Sequence, residues 1–319
     1  EGITQKLTYL KELGVTAIYL NPVFEAYSNH RYDTGDYLKI DRLLGSEKDL
    51  INLIDTANKH GIKIILDGVF NHTGDDSVYF NKYGKYKELG AYQSKASVYY
   101  GWYKFIRYPD LYDSWWGIDV LPAINKDNPS FTDFIAGENG VIEKYLKSGV
   151  YGWRLDVVDE LPASFVKKIR SRIKQTNPDA VIIGEVWEDA SNKISYGIRR
   201  EYFQGKELDS VMNYPLKKAI LNFAKTGQSS LFVKTIKEQT DHYPKIALDA
   251  LMNILATHDT FRLLSALSDR DVSGKTKTEM SEIKLTPAEI DASVSRLKAA
   301  VLLQYTVYGV PSIYYGDEA

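Results

Sequence analysis

Asp156, Glu185 and Asp259 each close a short apolar run that reads as a β-strand: Val150 to Leu155, Ala180 to Glu185, and Met252 to Thr257. Parallel strands that share one sheet bring their C-terminal ends, and these acids, to one side. Arg154 lies two residues before Asp156, so both side chains point to the same face of the strand. A guanidinium beside a carboxylate favours its ionised form. Three acids around one mouth repel one another, and one of them should hold its proton more tightly than usual. An ionised carboxylate opposite a protonated one is what retaining glycoside hydrolysis requires. Each acid taken alone reads equally well as a strand-end cap or ion pair; three together favour chemistry. His72 and His258, also at strand ends, make a metal site the competing reading. That reading is the weaker one, because no two histidines sit at the i, i+4 spacing of a helical metal motif.

The elements that must position these residues alternate along the chain. Ile3, Leu7 and Leu10 predict a helix to about Leu13, stopped at Gly14. Val15 to Leu20 predicts a buried strand ending at Asn21-Pro22. Ser46 with Asp49 forms a capping-box pattern for a helix ending at His60-Gly61, and Ile62 to Leu66 follows as a strand that delivers Asp67, Asn71 and His72. From about Thr73 to Ile118 the rhythm stops for longer than a plain loop allows, which predicts a small inserted subdomain. One helix is expected from Pro129 to about Leu146, and another from Ala163 to Gln175. Further strands are expected at Ser210 to Tyr214 and Ser312 to Tyr315, the last after a long helix capped by Thr286-Pro287. Seven strands alternating with helices predict a parallel sheet. A closed (β/α)8 TIM barrel needs an eighth. The expectation is therefore a barrel over 1–72 and 119–319, an insert over 73–118, and a first strand and last helix missing from the sequence given.

Composition narrows the function. The 319 residues are 44% hydrophobic and 26% charged, with a formal net charge of −2. That balance offers no basic footprint for nucleic acid, and no apolar run reaches membrane-span length. There is no cysteine, hence no disulfide or thiolate metal site; the compartment stays undetermined. The chain starts at Glu1 rather than Met and shows no signal peptide. Of its 24 Tyr, 11 Phe and 5 Trp, many lie between Tyr79 and Trp116, where aromatic rings could stack on sugars or simply pack as a small core.

Five ordered motifs resemble the alpha-amylase family of glycoside hydrolases, and the likeness covers nearly the whole chain. They are Asp67-Gly-Val-Phe-Asn71-His72, Gly152-Trp-Arg154-Leu-Asp156, Gly184-Glu185-Val-Trp187, Thr257-His258-Asp259, and the segment from Gly309 to Glu318. The resemblance implies Asp156 as nucleophile, Glu185 as acid/base, and Asp259 as the residue that holds sugar hydroxyls and stabilises the transition state. It places Tyr32, His72, Arg154 and His258 around the sugar under attack, with Tyr32 stacking on it, and Trp187 among the substrate-binding residues. Asp67 and Asn71 would be structural supports, Asp67 bracing Arg154. Arg262 matches an arginine that the neopullulanase-like subgroup uses on the donor side. Glu160, where starch-degrading amylases carry His, is similar to neopullulanases, cyclomaltodextrinases and maltogenic amylases, and would reach the acceptor side. Ala123 stands where those amylases have a calcium-binding Asp, so the usual calcium site is incomplete. Asn71 could still serve a calcium ion, but the expectation is no required metal or cofactor. The implied activity is retaining hydrolysis of α-1,4-glucosidic bonds in starch, pullulan, cyclodextrins or maltooligosaccharides, with some α-1,6 cleavage and glycosyl transfer. A transferase or isomerase of the same family shares every motif. A non-catalytic carbohydrate-binding relative fits less well, since such proteins lose carboxylates and all three are here. Oligomerisation would run through flanking domains not present in this sequence.

Overall fold

A computed structural model describes residues 1–271 and 274–319. The chain divides into two compact units, residues 1–185 with 204–208, and residues 186–203 with 209–319.

The first unit is built on four parallel strands in the order Ala17–Tyr19, Lys63–Gly68, Gly152–Leu155 and Val181–Gly184. Helices cover the connections. The opening helix Gly2–Glu12 is followed by Gly14 at a φ of 90°, in the left-handed region that glycine tolerates. Helix Glu47–Lys59 begins with the expected capping box, Ser46 and Asp49 each bonding the other's backbone N–H. Leu50, Leu53, Ile54 and Ala57 recur at three and four residues and form its buried face. Helix Ala163–Thr176 buries Phe165, Val166, Ile169 and Ile173 by the same periodicity. The single helix expected from Pro129 to Leu146 is instead two, Pro129–Ala136 and Val141–Lys147. The break falls at Gly137 to Gly140: Gly137 turns extended, and a Cβ there would lie 2.4 Å from the Asp133 carbonyl oxygen.

Trp153, fully buried at the middle of its strand, packs against Phe24, Phe70 and Tyr145 with ring centroids 5.7–6.3 Å apart. Residues between Thr73 and Ile118 add no strand to the parallel sheet, only short turns and the antiparallel pair Phe105–Arg107 with Leu111–Tyr112. Their aromatics gather on buried Phe80, which meets Tyr92, Tyr103, Phe105 and Tyr112. Part of the aromatic stretch is therefore a small core.

Gly152 pairs with Val181 across the sheet, and a Cβ on Gly152 would sit 2.5 Å from the Val181 carbonyl oxygen. That oxygen belongs to backbone and cannot swing away. Gly152→Ala should force apart the two strands that carry Asp156 and Glu185 and cost about 1–3 kcal/mol of stability. Denaturant unfolding of both proteins measures it; an unchanged midpoint would show that the strands have room to give.

In the second unit, helices Tyr214–Thr226, Ser230–His242 and Pro287–Thr306 flank the parallel pair Met252–Ile254 and Val310–Ser312. Leu216, Ile220, Leu255, Ala256, Leu263, Leu267 and Ala300 form its core. Two expected strands are corrected here. The one expected over Ser210 to Tyr214 is only Ser210–Val211, because the Asn213 side chain accepts from the Leu216 N–H and starts a helix with Pro215 in its first turn. The final strand lies at Val310–Ser312 rather than Ser312 to Tyr315. Gly309, at a φ of 91°, makes the turn into it, with no room for a Cβ beside the Leu251 carbonyl oxygen at 2.7 Å.

Candidate active site

The strand register of the first unit assembles the site. Asp67 pairs with Arg154 across two strands, and Leu155 pairs with Gly184 across the next two. Asp156 and Glu185 are the next residues along, side by side at the C-terminal ends. Arg154 is buried entirely, and its guanidinium is the hub. Nη1 donates to both oxygens of Asp67, at 2.9 and 3.0 Å, and to Asp156 Oδ1 at 2.8 Å. Nη2 lies 2.8 Å from Glu185 Oε2 at ion-pair distance, without the alignment of a hydrogen bond. One guanidinium thus faces three buried carboxylates.

Each acid is held differently. Asp67 Oδ2 also accepts from the hydroxyls of Tyr19, at 2.5 Å, and Tyr32, at 2.8 Å. Asp67 is therefore engaged on every side, and burial together with its charge pushes both tyrosine hydroxyls to stay protonated. Asp156 uses Oδ1 for Arg154, while Oδ2 has no hydrogen-bond partner among the described residues. Burial pushes the Asp156 carboxyl well up, against the pull of Arg154, and the Asp67 and Glu185 charges add to the rise. The acid pushed up by burial is thus the residue read as nucleophile. Glu185 Oε2 accepts from the Val157 N–H at 2.8 Å. Val157 has φ 39° and ψ 51°, a left-handed conformation costly for a β-branched residue. The strain turns the N–H immediately after Asp156 toward Glu185.

His72 is buried in the same unit, its ring stacked 5.1 Å from Trp115 at 23°. Nε2 lies 3.1 Å from the Tyr32 carbonyl oxygen and Nδ1 3.2 Å from the Asn71 amide nitrogen. Burial lowers its pKa to about 4, so the imidazole is neutral at physiological pH. Trp115 in turn stacks on Trp116 at 5.3 Å. Trp116 is 77% exposed with a φ of 52°, and its indole N–H donates to Glu160 Oε1 at 3.1 Å. Glu160 ends a 3₁₀ turn, Val158–Glu160, that follows the nucleophile position. Asn71 Oδ1 accepts from the Lys126 ammonium at 2.7 Å, and the Ala123 side chain offers no oxygen.

The second unit carries the remaining predicted residues. Asp259 Oδ2 lies 3.1 Å from His258 Nε2, and its N–H donates to the Thr257 hydroxyl at 3.2 Å. Arg262 packs its guanidinium over the rings of Tyr314 and Tyr315, 4.8 and 4.4 Å from their centroids, and bonds the Tyr315 carbonyl oxygen. Trp187, 47% exposed, stacks on Tyr214 at 3.9 Å and 15°. Arg262 is thereby tied to the closing Gly309 to Glu318 motif. Sequence reasoning missed Tyr19, Trp115, Trp116, Lys126 and Val157. The Trp-Trp-Gly run at 115–117 was a visible signal; the Val157 backbone and the Lys126 contact left none.

A family model for the alpha amylase catalytic domain matches residues 1–319. An amylopullulanase of Thermoanaerobacter thermohydrosulfuricus is 38% identical over 359 aligned positions, covering all of this chain and 23% of that protein. Neopullulanase 2 of Thermoactinomyces vulgaris is 33% identical over 327 positions, covering all of this chain and 49% of that protein. Among solved structures, a debranching enzyme of Nostoc punctiforme superposes with a TM-score of 0.81 at 31% identity, over 99% of this chain and 62% of that one. The chain belongs to the alpha-amylase family and has the fold of its catalytic domain. It spans between 18% and 51% of the length of the curated relatives it matches.

Proposed function

We propose that this chain carries the active site of a retaining glycoside hydrolase acting on α-glucosidic bonds. The observation that carries this reading is the Arg154 guanidinium spanning Asp156 and Glu185. Two carboxyls held by one guanidinium are close neighbours, as retaining enzymes need at roughly 5–5.5 Å separation. In this reading Asp156 Oδ2 attacks the anomeric carbon while the glycosidic C–O bond breaks. Glu185 gives its proton to the departing oxygen, and then takes one from the water that hydrolyses the glycosyl–Asp156 ester. Arg154 draws Asp156 toward its ionised form against the effect of burial. From its motif, Asp259 is assigned to the sugar hydroxyls and Arg262 to the donor side; His72 and Tyr32 are assigned to the sugar under attack. The family membership supports extending the parallel sheet to a (β/α)8 barrel with 73–118 as its insert.

The substrate class follows from the relatives' names and from Glu160. We assign α-1,4-linked glucans, with pullulan and cyclodextrins among them and α-1,6 bonds as a second linkage. Product analysis on pullulan, cyclodextrin, starch and maltotriose tests this; turnover of none of them would overturn it. The exposed Trp116 ring, fixed by Glu160, offers a wall on which an incoming sugar can stack, and the carboxylate can accept its hydroxyls. Holding an acceptor there raises its effective concentration against water. Glu160→Ala should lower the ratio of transfer products to free reducing sugar several-fold at matched conversion of a concentrated maltooligosaccharide. The same ratio in both proteins would leave Glu160 a helix-end residue and remove its tie to the neopullulanase-like subgroup.

A further inference from the structure

Lys126 lies just beyond the Leu121-Pro-Ala-Ile-Asn125 segment, half-buried, with its ammonium directed at buried Asn71 rather than at solvent. Burial lowers the pKa of its ammonium, and the charges of Glu160, Asp127 and Asp113 oppose that fall. An ammonium can only donate, so it selects which end of the Asn71 amide it meets: Oδ1, at 2.7 Å. The amide NH2 is then left pointing at His72 Nδ1, 3.2 Å away, and Nδ1 must accept. The imidazole proton therefore resides on Nε2, which donates to the Tyr32 carbonyl oxygen at 3.1 Å. A carbonyl can only accept, so the far end of the chain favours the same tautomer, and the two ends agree only while the amide presents its NH2 to the ring. Every link from Lys126 to Tyr32 runs in one direction. Tyr32 then meets the catalytic group through its hydroxyl on Asp67, which holds Arg154.

We propose that Lys126 is a positioning residue of the active site, its ammonium setting the Asn71 amide and thereby the tautomer and plane of His72. Lys126 reaches the reacting sugar only through these two side chains. The proposal rests on the hydrolase reading for its kinetic consequence alone, since the tautomer is a property of the free protein.

Nitrogen NMR of the His72 ring in the whole chain reads the tautomer directly, without substrate. The wild type should show a protonated Nε2 and an unprotonated Nδ1. In Lys126→Met nothing holds the amide against flipping, and a flipped Oδ1 competes with the Tyr32 carbonyl for the ring proton, so a detectable Nδ1-protonated fraction is expected, with kcat/KM on the preferred glucan down about tenfold or more. Lys126→Arg keeps a donor-only cation and should retain both the tautomer and most of the rate. Should Lys126→Met not fold, Asn71→Asp makes an ion pair with Lys126 and has no N–H to offer. Nδ1 should then be protonated. An unshifted tautomer in Lys126→Met or in Asn71→Asp, or a shifted tautomer with unchanged kcat/KM, would overturn the proposal. Failure of the hydrolase reading would appear instead as an inactive wild type with the expected tautomer intact.

Discussion

Asp156→Asn should lose on the order of 10⁴-fold or more in kcat while keeping or slightly raising its thermal stability. Asparagine preserves the shape of the side chain, so the parallel sheet has no reason to move. It cannot form the glycosyl ester, so double displacement stops at its first step. The stability half of the expectation comes from charge. Arg154 faces three buried carboxylates, and burial already pushes the Asp156 carboxyl up, which means its ionised form is held at a cost. Replacing it with a neutral group leaves two carboxylates against one guanidinium. A dead enzyme that melts at or above the wild-type temperature separates lost chemistry from lost fold. Glu185→Gln provides the contrast: it should be severe on glucans yet milder on aryl glycosides, whose leaving groups need little protonation. Near-normal kcat in purified Asp156→Asn would make the assignment of roles wrong.

Arg154→Met is expected to damage both stability and activity. Its removal leaves Asp67, Asp156 and Glu185 buried without the guanidinium that touches all three, a situation that costs about 3–5 kcal/mol. Methionine fills most of the space, so the loss reports charge rather than a cavity. The pH dependence follows from Asp156. Its folded-state pKa is raised above the ordinary carboxylate value, so the stability tied to its proton is fully present below that ordinary value. It is lost as pH rises through the folded-state value. Without Arg154 pulling downward, that rise is larger, and the deficit of the variant should be greater near neutrality than in mild acid. Thermal unfolding of both proteins across this range measures it. An equal deficit at all pH values would mean that packing, not charge, is what Arg154 supplies.

Much of the site was legible because the relevant signal is local. A strand two residues long in period puts Arg154 and Asp156 on one side, and the guanidinium does meet that carboxylate. The capping box at Ser46 and Asp49 and the stop at Gly14 likewise depend on neighbours in sequence. What escaped depends on partners brought from far away or on backbone conformation. Lys126 meets Asn71 across 55 residues, and Trp116 meets Glu160 across 44. Val157 reads as an ordinary apolar residue, yet it holds the strained turn that aims an N–H at Glu185. The helix expected to run unbroken from Pro129 to Leu146 has good helical periodicity, and only the crowding at Gly137 shows why it stops. The tyrosine-rich stretch carried two readings in sequence. Rings around Phe80 took the packing reading, while Trp116 stands exposed beside Glu160.

The central claim is that Asp156 and Glu185, held on adjacent strand ends by one guanidinium, work as nucleophile and acid/base in a double displacement. Two inversions at the anomeric carbon return the starting configuration. Proton NMR of the sugar first released from an α-linked maltooligosaccharide, recorded before mutarotation, reads that configuration directly. The account predicts the α anomer in the earliest spectra, with β growing only at the rate of mutarotation. An initial β product would contradict it, because a single displacement by water leaves no place for the glycosyl–Asp156 intermediate.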